Sequence, residues 1–476
     1  MKRIGIERIG RSRHQLAMTF SADGLRFSTS YWWQDVDLDL LARRHGDALV
    51  DKLCFHIAAF ELNKLVSLRP EVVDLGPWAR FHTRAFEALW RTVVHKVWAQ
   101  WRWEHDWHDY NGPAFASAPV DAAPARTTVE RGPVELLAFC GGGKDSLVAM
   151  KLLERAGLPF ASFAYAHSIY GAQMPQHALL DGLLDHGAPV HRHRQWIHDD
   201  FLDSPVLTLH PELRVGRLTA AETPSSIFAV LPLVLAHGYR YIVLAHERSA
   251  NVGNLVWDKT GEDVNHQWGK SREAERLINA YLQAELLDGM SYFSLLQPIH
   301  DLVILHLLSR DLDAVPATHS CNVKKPWCGR CAKCAYVWLG YQAFLPRALV
   351  DPMFGGINLF DLDENQRWYR EMLGLAEHTP FECIGQVDET RWAFARCRDL
   401  GLGGRAMAMY ASDVASVDRA AVAARYCTVD ETAPLPPALA ARILPVLREA
   451  AAEAHALVSR PRGHRPLRGR TAPCAD

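Results

Sequence analysis

Two compact groups of residues carry most of the recognisable chemistry in this chain. The first is Cys140-Gly141-Gly142-Gly143-Lys144-Asp145-Ser146. It follows a short apolar run at 134–139 and precedes an apolar helical pattern at 146–156, so it reads as a loop joining a strand to a helix. Adjacent glycines let the backbone approach an anion closely and reach positive φ. The helix start behind them offers free N–H groups and a favourable dipole to phosphate. Lys144 adds a cation and Ser146 a hydroxyl donor. This is not a Walker A loop, because Ala138 stands five residues before Gly143 and Asp145 follows Lys144. Nor is it a dinucleotide fingerprint, since the glycines are contiguous. The second group is Cys321, Cys328, Cys331 and Cys334. Four soft thiolates in tetrahedral number suit Zn²⁺ in a closed, structural site, with an iron–sulfur cluster as the competing occupant.

Three polar, glycine-marked strings without periodicity read as ligand-lining loops. They are residues 246–251 (His-Glu-Arg-Ser-Ala-Asn), 260–271 (Thr-Gly-Glu-Asp-Val-Asn-His-Gln-Trp-Gly-Lys-Ser) and 378–386 (His-Thr-Pro-Phe-Glu-Cys-Ile-Gly-Gln). The first follows a predicted strand at 241–245, and in open α/β sheets ligands gather at the carboxyl ends of the strands.

The glycine string resembles the PP-loop of N-type ATP pyrophosphatases, Ser-Gly-Gly-x-Asp-Ser, with Cys140 standing where that pattern has Ser. The resemblance implies cleavage of ATP between the α and β phosphates. Gly141, Gly142, Gly143, Lys144, Asp145 and Ser146 would grip the pyrophosphate, and Asp145 would serve a bridging Mg²⁺. A cysteine cluster also follows the PP-loop domain of the 7-cyano-7-deazaguanine synthases. Taken with the three polar strings, 292–298 and 354–361, residues 136–391 look like the UDP-N-acetyl-alpha-D-muramoyl-L-alanyl-L-glutamate epimerase family. Glu247-Arg248-Ser249-Ala250, Val264-Asn265-His266-Gln267-Trp268 and Pro380-Phe381-Glu382-Cys383 carry this likeness.

That resemblance implies ATP-dependent inversion of a terminal L-glutamate through an acyl-adenylate, with release of AMP and diphosphate. The chemistry is coherent. A free carboxylate opposes a second negative charge at its α-carbon, and adenylation removes that opposition. Inversion needs proton-transfer groups on both faces, each close to the α-carbon. His266 is the first candidate, because imidazole titrates near neutrality. Glu247 and Glu262 are the carboxylate candidates for the second face, and Arg248, Asn265, Lys270 and Arg391 are candidates for holding substrate. The implied partners are ATP, Mg²⁺, a structural Zn²⁺ and a sugar-nucleotide-linked peptide. The alternative within the same ATP-cleaving class is a ligase, or an epimerase acting on another carboxylate.

These groups need a scaffold. Alternating short apolar runs and helical patterns predict an α/β fold, a parallel sheet with helices on both faces. The resemblance implies the PP-loop, adenine-nucleotide alpha-hydrolase-like version of it. Residues 1–130 hold eight of the 15 tryptophans. They read as a mainly helical N-terminal domain with helices at 49–68 and 81–103, short strands possible at 1–30, and a linker at 111–133. Residues 131–320 form the predicted PP-loop domain and 321–400 the zinc module with a substrate-lining region. Residues 401–476 hold a helix at 436–459, expected to kink at Pro445, and then an arginine-rich tail from 460 that reads as disordered.

The 476 residues include 52 basic and 54 acidic side chains, a net charge of −2. No field of one sign points to nucleic acid. The longest apolar run, 227–236, is too short to span a membrane. Residues 1–13 are basic without an apolar stretch behind them, so no secretory signal is expected, and clustered cysteines fit a reducing cytoplasm.

Overall fold

The computed structural model describes residues 1–121, 125–213 and 221–460. The tail expected to be disordered lies, from 461 onward, outside the described residues.

The strands are β1 (Arg3–Ser12), β2 (Gln15–Ala22), β3 (Leu25–Trp33), β4 (Val72–Asp74), β5 (Ala114–Phe115), β6 (Thr127–Thr128), β7 (Leu136–Phe139), β8 (Phe160–His167), β9 (His191–Asp199), β10 (Tyr241–Glu247), β11 (Leu255–Trp257), β12 (Glu262–Val264), β13 (Leu287–Asp288) and β14 (Ser291–Leu296). Ten of them form one sheet in the order β14-β10-β7-β8-β9-β3-β2-β1-β4-β5. The half from β14 to β9 is parallel throughout. At β3 the sheet turns antiparallel and continues through the meander of β1, β2 and β3. The expectation of a parallel sheet is therefore corrected to a mixed one. Tight turns at 13–14 and 23–24 permit antiparallel neighbours, whereas the crossover helices enforce parallel ones.

Alternation along the strands divides the core. Leu136 and Ala138 of β7, with Tyr241 and Val243 of β10, pack on one face. Leu137, with Ile242 and Leu244, packs on the other. Helices Lys144–Arg155, Asp301–Leu308, Ala332–Phe344 and Pro437–Val458 cover the first face. Helices Asp47–Glu61, Arg84–Val97, Glu222–His237 and Arg272–Glu285 cover the second.

The N-terminal segment is mainly helical between 38 and 104, interrupted by the short β4, but three long strands precede those helices. The predicted helix at 49–68 is α-helical only over Asp47–Glu61 and tightens into a 3₁₀ stretch, Leu62–Leu68. Nearly all its residues are buried, because both its sides meet protein. The predicted helix at 81–103 breaks at Trp98 into Arg84–Val97 and Ala99–Glu104. Within the predicted linker, β5 forms an edge of the sheet and β6 pairs with β13. Pro445 lies inside a helix that runs unbroken from Pro437 to Val458.

Candidate active site

The loops leaving β7, β10 and β14 collect at the carboxyl edge of the parallel half. After β7, Gly142 takes φ +83°, and Gly143 caps the helix Lys144–Arg155. A Cβ on Gly142 would lie 2.1 Å from His319 Nε2, and one on Gly143 2.6 Å from Ser320 Oγ. The segment leading into the cysteine cluster thus packs directly on the glycine loop, and the His319 N–H donates to the Gly142 carbonyl at 2.7 Å. Ser146 Oγ accepts from the Gly141 N–H at 3.0 Å.

One cleft joins these parts. The loop contributes Gly141, Gly143, Asp145 and Ser146, and the second polar string contributes Lys270. The third string contributes Cys383, and the cysteine segment Asn322, Lys325 and Lys333. The first string reaches the cleft through His246. Burial, with Lys270 nearby, keeps His246 neutral, well below the ordinary imidazole range. Lys270 Nζ lies 2.8 Å from Cys383 Sγ.

Lys144 points inward. Its side chain is buried, and its ammonium pairs with Asp145 at 2.6 Å and with Asp301. Asp301 also accepts from the Tyr336 hydroxyl at 2.8 Å. Glu247 and Glu389 lie buried near this pair. Burial, then the Asp301 charge, pushes Glu389 up to about 8 and Glu247 well above the carboxylate range. Asp301 stays ionised because Lys144 and Tyr336 overcome its burial. The charge of Lys144 thus serves a buried network beneath the loop.

The other sequence-derived candidates are dispersed. His266 is exposed, and its Nδ1 meets Gln100 Oε1 at 2.6 Å. A ring nitrogen of His266, a Glu382 carboxylate oxygen and Cys383 Sγ lie within 4.8 Å of one another. Asn265 is spent on backbone groups, donating to the Ala250 carbonyl of the first string at 2.9 Å and accepting from the Gln267 N–H of its own turn at 2.8 Å. Glu262 pairs with Arg102 at 2.8 Å and His95 at 3.1 Å, tying β12 to the N-terminal helices. Arg391 donates to the Leu373 carbonyl at 2.9 Å. Arg248 lines a separate hollow with Arg272, His300 and Asp430.

Asp301, Tyr336 and Glu389 were not singled out from sequence, although Asp301 opens a helix just past a strand end, where ligands gather. Cys383 belongs to the third polar string, and its neighbour Lys270 is 113 residues away.

The four thiols of Cys321, Cys328, Cys331 and Cys334 converge within 4.8 Å. Cys321 to Cys331 and Cys328 to Cys334 are each separated by 3.8 Å between sulfurs. A tetrahedron with metal–sulfur bonds of about 2.3 Å has edges of about 3.8 Å, so the donor set fits Zn²⁺. Backbone N–H groups of Val323, Lys324 and Arg330 point at the sulfurs at 3.3–3.4 Å, and Gly329 makes the turn at φ +71°. Among the described residues, no helix is long and apolar enough to cross a membrane.

Residues 223–295 match the family model for the MurL N-terminal domain, and residues 317–409 that for the MurL C-terminal domain. Three similar proteins are each described as UDP-N-acetyl-alpha-D-muramoyl-L-alanyl-L-glutamate epimerase. The protein of a Micromonospora species is 33% identical over 286 residues, 57% of this chain and 59% of the relative. That of Salinispora tropica is 34% identical over 285 residues, 58% of each chain. That of Xanthomonas oryzae pv. oryzae is 30% identical over 303 residues, 58% of this chain and 60% of the relative. The aligned part therefore spans about three fifths of the relatives' length.

Proposed function

We propose that this chain is an ATP-dependent epimerase that inverts the terminal L-glutamate of UDP-N-acetylmuramoyl-L-alanyl-L-glutamate, in peptidoglycan precursor synthesis in the cytoplasm. The observation that carries the reading is the shared cleft. It places a glycine loop at a helix N-terminus beside Lys270 and Cys383, from two strings that resemble the epimerases.

ATP enters with its phosphates against the N–H groups of 141–146, where the helix dipole favours negative charge. Lys270, Lys325 and Lys333 line the same cleft and offset that charge. Asp145, whose carboxylate faces it, would hold Mg²⁺, which neutralises phosphate charge when bound. Lys144 fixes the orientation of Asp145 from below. The glutamyl carboxylate attacks the α-phosphorus and diphosphate leaves. The acyl-adenylate then carries no carboxylate charge, so its α-proton can be removed into an enolate. A proton returns on the opposite face, and water cleaves the mixed anhydride to AMP and the D-glutamyl product.

The test is incubation with ATP, Mg²⁺ and the UDP-linked L-alanyl-L-glutamate in D₂O. The expected products are AMP, diphosphate and the UDP-linked L-alanyl-D-glutamate deuterated at the glutamyl α-carbon. AMP formation only when an amine is supplied would establish a ligase instead, and no AMP at all would end the reading. Asp145→Ala is expected to abolish AMP formation. His266→Ala is expected to keep adenylation and slow α-exchange, and wild-type exchange in that variant would remove His266 from the proton path.

A further inference from the structure

The cleft holds a nucleophile that the reaction above leaves without a role. Cys383 lines it beside the glycine loop and is half-buried; Cys140 also borders the cleft but is buried, with its thiol pushed up to about 11, and Cys54, Cys397 and Cys427 are buried elsewhere. Its surroundings are built for an anion. Lys270 Nζ stands 2.8 Å from Sγ, and His266 faces the same sulfur. The Lys333 ammonium donates to the Cys383 carbonyl. Glu382 is the opposing carboxylate. Burial alone would push the thiol up. Lys270, His266 and Lys333 outweigh it and hold the group at about 6. His266 is raised in turn: although its side chain reaches solvent, the protein packed around the ring opposes its charge, and Cys383, then Glu382, overcome that. The surrounding cations thus favour the thiolate form of Cys383.

We propose that Cys383 is the base that takes the α-proton of the adenylated glutamyl residue, with Lys270 and His266 positioning its sulfur. The inference rests on the epimerase reading above and assigns the step that reading left open. The Cα–H bond breaks and an S–H bond forms. The C–H electron pair moves into the enolate, onto the carbonyl oxygen of the activated ester. A solvent-derived proton closes the opposite face, and the sulfur returns its own proton to solvent through His266. A thiolate suits this step because a base is most effective when its proton affinity lies near the working pH.

Three measurements on the full chain test it. ATP–diphosphate exchange with the UDP-linked dipeptide reads adenylation, and deuterium uptake at the α-carbon reads proton removal. Iodoacetamide labelling of wild-type protein from pH 5 to 8, mapped by mass spectrometry, reads the thiolate without any substrate. Cys383→Ser is expected to keep diphosphate exchange and to lose deuterium uptake by about 10²–10⁴-fold. Labelling of Cys383 is expected to reach half its plateau rate near pH 6, and to move to higher pH in Lys270→Met. Wild-type deuterium uptake in Cys383→Ser would overturn the base alone, as would a wild-type Cys383 that resists labelling at pH 7. Failure of the wild-type protein to show either exchange would overturn the epimerase reading, and the base with it. Labelling is read on wild-type protein, so a misfolded variant cannot shield the assignment.

Discussion

Gly142 carries a backbone requirement that no other residue type meets. Its φ of +83° and a Cβ position 2.1 Å from His319 Nε2 exclude a side chain twice over. The left-handed conformation alone costs an L-residue about 1–2 kcal/mol, and the imidazole has to move as well. Gly141, one residue earlier, has its nearest Cβ neighbour at 3.9 Å, Ser146 Oγ. Gly142→Ala is therefore expected to lower the thermal midpoint by several degrees. Gly141→Ala should keep the wild-type midpoint. Differential scanning calorimetry of the two variants decides it, and equal midpoints would mean that the loop yields where the contacts say it does not. The same scale explains Lys144. Its place in the motif was legible, but its direction was not, because the acids that draw it inward include Asp301, 157 residues away.

Among the elements, the helix Arg272–Glu285 offers a clean electrostatic test away from the cleft. Glu275 is buried against β14, where it accepts from the Ser294 N–H at 2.9 Å. Burial pushes its carboxyl up to about 7 from 4.5, against the pull of that hydrogen bond. The folded protein keeps a proton that the unfolded chain releases. Stability therefore falls as pH climbs from about 4.5 to 7 and flattens above that range, by on the order of 3 kcal/mol for this group at most. Glu275→Gln preserves an acceptor for Ser294 and cannot ionise. Its urea midpoint should fall less than that of wild type between pH 5 and 7.5, and parallel slopes would contradict the assignment. The cysteine segment shows the complementary lesson. Its ligand set is written in local spacing, but only packing places Ser320 and Asn322 over the glycine loop.

Across the whole molecule, the N-terminal meander and the parallel half are bound by a buried ionic knot. Lys64 pairs with Glu61 at 3.1 Å and with Asp199 at the end of β9, while Thr29 of β3 donates to Asp199 at 3.0 Å and Tyr31 donates to Glu61 at 2.6 Å. Lys64→Met would leave two buried carboxylates without their cation, a loss of about 3–5 kcal/mol. Adding Asp199→Asn should recover part of that loss, and a double-mutant cycle on urea midpoints measures it. An additive pair would show that the knot carries no coupling. The knot also lies beside a pocket that shares Tyr165, Glu222 and Ser226 with the cleft. The joint between the two halves and the candidate active site are thus neighbours.

The amino-acid order alone determined what is encoded within a few residues. The glycine loop, the cysteine set, the strand-and-helix alternation from 134 onward and the polar strings all express themselves through local spacing and periodicity. The tertiary structure decided what depends on distant partners. It extended the sheet through β1 to β3, sent Glu262 to Arg102 and Arg391 to a backbone carbonyl, and set Cys383 against Lys270. Side-chain type is fixed one residue at a time. The burial, charge and hydrogen bonds that set a group's direction and protonation come from segments that meet only when the chain packs.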